Sequence, residues 1–244
     1  MKAVIPFKKE NAKSRLSPIL SSSERETFAL YMLKDVIGQI NDSIAECGMQ
    51  NADLYLPKST RHLNQQSIDA IDVLTTSIQA SSFVEKINSR IKLNVILSED
   101  SLNGALNEYL SKVKEPVLIV MADLPLINKK HIKEIINSSA DIVIAPGKGG
   151  GTNILFIKDP SKFQVDYYGA SFLDHLKIAN KYGHKVEIYD SFLVSNDIDE
   201  PSDLIELLIH GKGESAHWIK KIGLTLIVNK NKKVKLHLKK KRKR

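Results

Sequence analysis

Through the first two hundred residues the chain alternates between two hydrophobic patterns. Short runs that are apolar at nearly every position are separated by longer stretches in which apolar residues recur every three or four positions. The runs predict strands at 2–7, 52–57, 71–75, 94–98, 117–122, 141–145, 153–157 and 186–190, since they are short and rich in Val and Ile. The stretches between them predict helices at 24–46, 81–90, 102–113, 129–138, 171–182 and 201–210. In the first helix Phe28, Met32, Val36, Ile37 and Ile40 form one apolar face, and Ser23 with Glu26 has the spacing of a capping box. Pro201 suits a first helical turn, where a missing N–H costs nothing. Strands that are apolar on both faces and alternate with helices imply a mainly parallel sheet covered on both sides, an α/β/α sandwich of three layers.

After about residue 212 the pattern changes. IGLTLIV, NKNK and KVKLHL read as two strands around a polar turn, an edge hairpin on the main sheet, and the closing KKKRKR reads as a disordered basic tail. The implied organisation is a main domain at 1–222, a strand pair or extension at 223–238 and the tail at 239–244.

Composition narrows the class. At 244 residues the chain can bury one substantial core, and no apolar run approaches the ~20 residues that span a bilayer. The N-terminus lacks the pattern of a secretory signal. A single cysteine, Cys47 at the end of the first helix, forbids an internal disulfide and any multi-cysteine zinc site, so a cytoplasmic location is expected. The net charge of +8 belongs to the tail: ten of the 36 Lys and Arg fall within 230–244, and the remaining 26 face 28 acidic residues. A near-neutral body argues against a nucleic-acid-binding face, although the tail itself suits contact with a polyanion.

Four places carry candidate chemistry. The first strand empties into KKENAKSRL, which puts Lys8, Lys9, Lys13 and Arg15 where open α/β sheets bind ligands, and such a cluster suits phosphates; a solvated loop is the plainer alternative. The strand VLIVMA ends on Asp123, placed either to hold a divalent cation or to cap the helix at 129. Asp197 and Asp199 are two apart, so an extended segment points both to one side; they read as further magnesium ligands or as an acidic helix start. The run Gly147 to Asn153 contains three successive glycines before Thr152, which reads as an anion cradle or a flexible turn, and it lacks the spacing of a P-loop. Downstream, Gly169, Ser171 and His175 surround a helix start suited to a small phosphate or carboxylate, with His175 read as anion-binding rather than as a base.

Taken in order, AVIPFKKENAKSRLSPIL, MADLPLI, GGGTN, YYGASFLDH and DIDEPSDL resemble the 2-phospho-L-lactate guanylyltransferase (CofC) family over about residues 1–210. Leu102 stands where that family usually has glycine, and the stretch after about 212 lies outside the resemblance. The resemblance implies a Rossmann-like, GT-A-like nucleotidyltransferase fold with a mainly parallel mixed sheet. It implies transfer of GMP from GTP to 2-phospholactate with release of diphosphate, on the way to the 8-hydroxy-5-deazaflavin coenzyme, and a homodimer. Lys8, Lys13, Arg15, Asn103 and Asp123 are then expected at the nucleotide, with Lys13, Arg15 and Asp123 catalytic. Gly151, Thr152, Gly169, Ser171 and His175 are expected at the acceptor, and Asp123, Asp197 and Asp199 at Mg2+. The alternatives are a same-fold enzyme that takes phosphoenolpyruvate or 3-phosphoglycerate, and a polyanion-binding protein acting through its tail.

Overall fold

Five consecutive buried residues, Ala3 to Phe7, fill most of β1 (Lys2–Phe7) and lie in the middle of the sheet. The computed structural model describes residues 1–45 and 66–239. In chain order the remaining elements are α1 (Ser22–Ala45), β2 (Ala70–Thr75), α2 (Ile78–Val84), β3 (Lys92–Leu97), α3 (Leu102–Lys112), β4 (Val117–Val120) and α4 (Lys129–Ile136). They continue with β5 (Ile142–Pro146), β6 (Thr152–Ile157), α5 (Ser171–Lys181), β7 (Val186–Ile188), α6 (Phe192–Ser195), α7 (Asp203–His210), α8 (Glu214–Lys221), β8 (Leu224–Val228) and β9 (Val234–Leu238).

Seven strands form one sheet in the order β3-β2-β1-β4-β6-β5-β7. All run parallel except β6, which pairs antiparallel with both β4 and β5. The uninterrupted apolar runs follow from burial on both faces. Ala3, Ile5, Phe7, Leu118 and Val120 join a core shared with α1, α4, α7 and α8. Val4, Val117 and Ile119 point the other way, to α3 and α5. The strand order turns outward on either side of β1 and β4, so the crevice of this open sheet opens beyond their carboxyl ends, at the loops that begin with Lys8 and Met121.

Some boundaries move. The capping box lies two residues before the predicted one: Ser21 Oγ donates to Glu24 Oε2 at 2.7 Å, and Glu24 N donates to Ser21 Oγ at 3.4 Å. The helix predicted at 81–90 runs from Ile78 to Val84, with the Ser77 side chain accepting from Ala80 N. Pro201 precedes α7 rather than opening it. The predicted strand at 52–57, Cys47 and the tail from residue 240 lie outside the described residues.

The C-terminal part differs more. The strand pair does not extend the main sheet; β8 and β9 pair with each other and pack on α7 and α8. The unpredicted α8 explains this arrangement. Its N-terminal amides at Glu214 and Ser215 donate to Asp35 of α1 at 2.7 and 3.0 Å, and Trp218 stacks on Phe28 at 5.9 Å. The cap for this short helix is thus supplied from 180 residues away, and no local signal marks its start.

Candidate active site

The loop after β1 separates its cations. Lys9 turns aside to Gln79 at 3.0 Å and Glu26 at 3.8 Å. Lys8 stays exposed, with no hydrogen bond or ion pair among the described residues. Lys13 takes a left-handed backbone (φ 53°, ψ 44°), which costs an L-residue about 1–2 kcal/mol. The fold over-determines that conformation: Leu16 N donates to Lys13 O at 2.9 Å, and Arg25 of α1 donates to Ala12 O at 3.3 Å and Leu20 O at 3.0 Å. The result aims Lys13 Nζ between two carboxylates, 2.5 Å from Asp123 Oδ2 and 2.6 Å from Asp199 Oδ1, with its side chain only 11% exposed. Burial works against the ammonium, but Asp123 and Asp199 outweigh it and hold its pKa above the usual lysine value. Arg15 lies at the mouth, 3.8 Å from Asp199 and 3.9 Å from Glu200.

Asp123 is free for this contact because the cap of α4 is Asn128, whose side chain accepts from Lys130 N and His131 N. Asp199 is placed by long-range ties. The fully buried Ile198 donates its N–H to Asp123 O at 3.1 Å, joining the segment to the end of β4. Asp203 then accepts from Asp199 N at 2.9 Å and Glu200 N at 2.7 Å, and its other oxygen pairs with Lys148 from the glycine run. Burial would raise the Asp203 carboxyl, yet Lys148 and those two amides hold it below the ordinary range. Neither Lys148 nor Asp203 stands out in the sequence, although both sit inside motifs that do.

Asp197 and Asp199 do not share one partner as their spacing implied. Asp199 meets Lys13, whereas Asp197 keeps one buried oxygen, Oδ1, with no hydrogen bond. Burial first, and then the nearby charge of Asp123, push its carboxyl above the usual value. Among the described residues no three His, Cys, Asp or Glu converge closely enough to form a ready metal cage. Asp123 and Asp199 nonetheless converge on one cation, the Lys13 ammonium, and Asp197 is near enough for the charges of both to act on its carboxyl. Magnesium takes one or two carboxylates and completes its shell with phosphate and water, so this donor set fits it.

The predicted acceptor residues are arranged differently. The glycine run is the turn of a β5–β6 hairpin, closed by Gly147 N to Gly151 O at 2.8 Å, and Gly149 and Gly150 supply the positive φ that the turn needs. Thr152, Ser171 and His175 lie behind the surface, at 3%, 2% and 0% exposure. Asp166 N donates to His175 Nε2 at 3.0 Å, so the ring proton sits on Nδ1 and donates to Thr152 Oγ1 at 2.9 Å. Ser171 Oγ donates to the same oxygen at 3.3 Å. Burial lowers the His175 pKa to about 4, against the pull of Asp166 and Asp174. These three side chains therefore brace the loops from within, because both ring nitrogens are already engaged; direct anion binding by His175 is not the arrangement found. Gly151 and the exposed Gly169 remain at the surface. Asn103 is likewise tied inward, donating to Asp166 at 2.9 Å and accepting from Tyr167 N at 2.7 Å.

Two clefts meet at this edge. A groove of about 410 Å³ is lined by Lys8, Lys13, Arg15, Asp123 and Asp199. A slot of about 520 Å³ lies beyond it, between the carboxyl ends of β2 and β3 and the start of α3. Pro6, Phe7, Lys8 and Met121 line both.

The family profile described as "Guanylyl transferase CofC like" matches residues 1–51 and 61–241. The match reaches the C-terminal hairpin, so the stretch after residue 212 belongs to the family pattern, contrary to the extent the sequence motifs suggested. A relative from Methanosarcina acetivorans is 50% identical over 219 residues, covering 90% of this chain and 91% of its own, and one from Methanosarcina mazei is 48% identical with the same coverage. Both are named 2-phospho-L-lactate guanylyltransferase. Among solved structures, one from Desulfovibrio desulfuricans G20, described as a nucleotide-diphospho-sugar transferase, superposes with a TM-score of 0.66 at 12% identity over 91% of this chain and 95% of its own. The 4-diphosphocytidyl-2C-methyl-D-erythritol synthase of Anaerococcus prevotii gives 0.53 at 12% identity over 90% and 97%. At such identities the likeness concerns the fold, a Rossmann-like nucleotidyltransferase sheet.

Proposed function

The chain belongs to the CofC-like guanylyl transferase family, and from that premise we propose that it transfers the guanylyl group of GTP to the phosphate of 2-phospho-L-lactate. The observation that carries the reading is the pair of carboxylates closed around one cation at the carboxyl ends of β1 and β4. A phosphate oxygen of the acceptor attacks the α-phosphorus, the bond from that phosphorus to the bridging oxygen breaks, and diphosphate leaves with the electron pair. The nucleophile is already ionised near neutral pH, so no side chain need remove a proton. The barrier is the meeting of two polyanions and the charge gathering on the leaving group, which fixed cations lower most.

Lys13, Arg15 and Lys8 line the groove where those phosphates would lie. Lys13 stays charged there, held above its usual pKa by its carboxylates, and a triphosphate offers its ammonium a competing set of oxygens. Asp123 and Asp199 would hold magnesium, which would supply positive charge against the phosphates. Gly151 and Gly169, held by the buried chain behind them, would present the backbone to the acceptor. The setting this implies is the cytoplasm, where nucleoside triphosphates are made.

The test is diphosphate release with GTP, magnesium and one phospho-acid at a time. Release should be fastest with 2-phospholactate. Faster release with phosphoenolpyruvate or 3-phosphoglycerate would reassign the acceptor, and none with any acceptor would remove the reading.

A further inference from the structure

We propose that Glu99 is the residue that selects guanine; the proposal rests on the guanylyl-transfer reading and names the part of the site that reads the base. Lys8 and Met121 line both clefts, so a nucleotide with its phosphates in the groove directs its base into the slot. The slot suits a flat heterocycle. Leu74, Leu102 and Ala105 give it an apolar lining, and Tyr168, 58% exposed, offers a ring face for stacking.

Guanine differs from adenine on its pairing edge. It presents two adjacent donors, N1–H and the N2 amino group, where adenine presents a lone pair at N1 and a donor at N6. A carboxylate accepts both guanine protons and repels the adenine lone pair. Two carboxylates line the slot, Glu99 and Asp100. Asp100 is committed to the start of α3: it accepts from Ser101 N at 2.6 Å, and it packs so closely on Gly104 that a Cβ there would lie 2.0 Å from its Oδ2. Glu99 is exposed and makes no hydrogen bond or ion pair among the described residues. Its backbone is steadied by the preceding residue, since Ser98 N donates to Thr75 O at 3.0 Å and extends the β2–β3 ladder past its last pair. A free carboxylate on a firm strand end, in the slot that Tyr168 also lines, is the arrangement a guanine edge requires.

The experiment compares kcat/KM for GTP, ITP and ATP, each with 2-phospholactate, in the unmodified protein and in Glu99→Gln, Glu99→Ala and Asp100→Asn. The unmodified protein should prefer GTP to ITP, which lacks the N2 amino group, and to ATP. Glu99→Gln should lower kcat/KM for GTP by about 30-fold, mostly through KM because the base is remote from the reacting bond. It should also raise ATP use, since an amide donates to N1 and accepts from N6 of adenine. Glu99→Ala should lose GTP without gaining ATP. An unchanged GTP-to-ATP ratio in Glu99→Gln overturns the proposal and leaves the guanylyl-transfer reading intact. A shift that appears in Asp100→Asn instead overturns it in the same way. Absence of turnover with every triphosphate in the unmodified protein would remove the functional reading, and the role of Glu99 with it.

Discussion

Two polar clusters stand at the same edge of the sheet and are held in opposite ways. Around Lys13 one ammonium is shared by Asp123 and Asp199, while Asp197 keeps a buried oxygen with no partner. Around His175 the bonds are complete: a backbone N–H enters Nε2, the Nδ1 proton goes to Thr152, and Ser171 closes on the same oxygen. The first cluster has more negative charge than its cation neutralises, and it faces an open groove. The second is neutral, and its three side chains are buried. A buried polar network is rigid when every member is satisfied, and an unsatisfied one retains capacity for another partner. Both clusters look alike in the sequence, as polar residues at suggestive spacings. What distinguishes a binding set from a brace is whether its hydrogen-bonding capacity is already used.

The contrast can be broken most sharply at Asp123. Asp123→Asn keeps the shape and removes the charge, so diphosphate release should fall by about 10²–10³-fold. Thermal unfolding should change little, because the residue stands at an open groove. Near-normal turnover would place Asp123 outside the reaction and cancel the difference between the two clusters.

His175 should answer to pH through stability rather than through chemistry. Its folded pKa, about 4, lies below the unfolded value of 6.5. The ring is therefore neutral in the fold, and as pH falls the unfolded chain takes up the proton first. Stability from this group is complete above about pH 6.5 and is lost progressively towards pH 4. Between pH 7 and 5 the loss from His175 alone should be about 2 kcal/mol. Urea unfolding of the unmodified protein and of His175→Gln at both pH values measures it; an equal pH effect in the two proteins would show that the ring is not buried in its neutral form.

The smallest effect is expected at Lys148. It holds Asp203, which in turn holds the Asp199 and Glu200 amides, so Lys148→Met should loosen the carboxylate that faces Lys13. We expect turnover to fall by only about 10-fold and stability by less than about 1 kcal/mol, since the pair is partly exposed. A loss as large as that of Asp123→Asn would mean that Lys148 meets substrate directly.

The local pattern carried a good deal of this protein. Uninterrupted apolar runs identified the central strands because burial on both faces leaves no polar side to show, and helical spacing located most of the larger helices. The placement of Lys13, Arg15 and Asp123 followed from position alone, since a strand end in a parallel sheet faces the crevice whatever else the fold does. Local pattern was weaker where distant residues supplied the deciding contact. The start of α8 depends on Asp35, far away in α1, and the C-terminal strand pair follows that helix onto α7 and α8 instead of joining the sheet.

Which chemistry is present could be read from residue order alone: a strand that empties into cations, a second that ends on a carboxylate, and motifs enough to mark the family. How that chemistry is shared out depends on the folded arrangement. It sent Asp199 rather than Asp197 to Lys13 and withdrew Thr152, Ser171 and His175 from the surface. The reason is physical: residue type and local spacing set what a side chain can donate or accept, whereas burial and the partners already taken are properties of distant segments brought together, and these determine which groups remain available to a ligand.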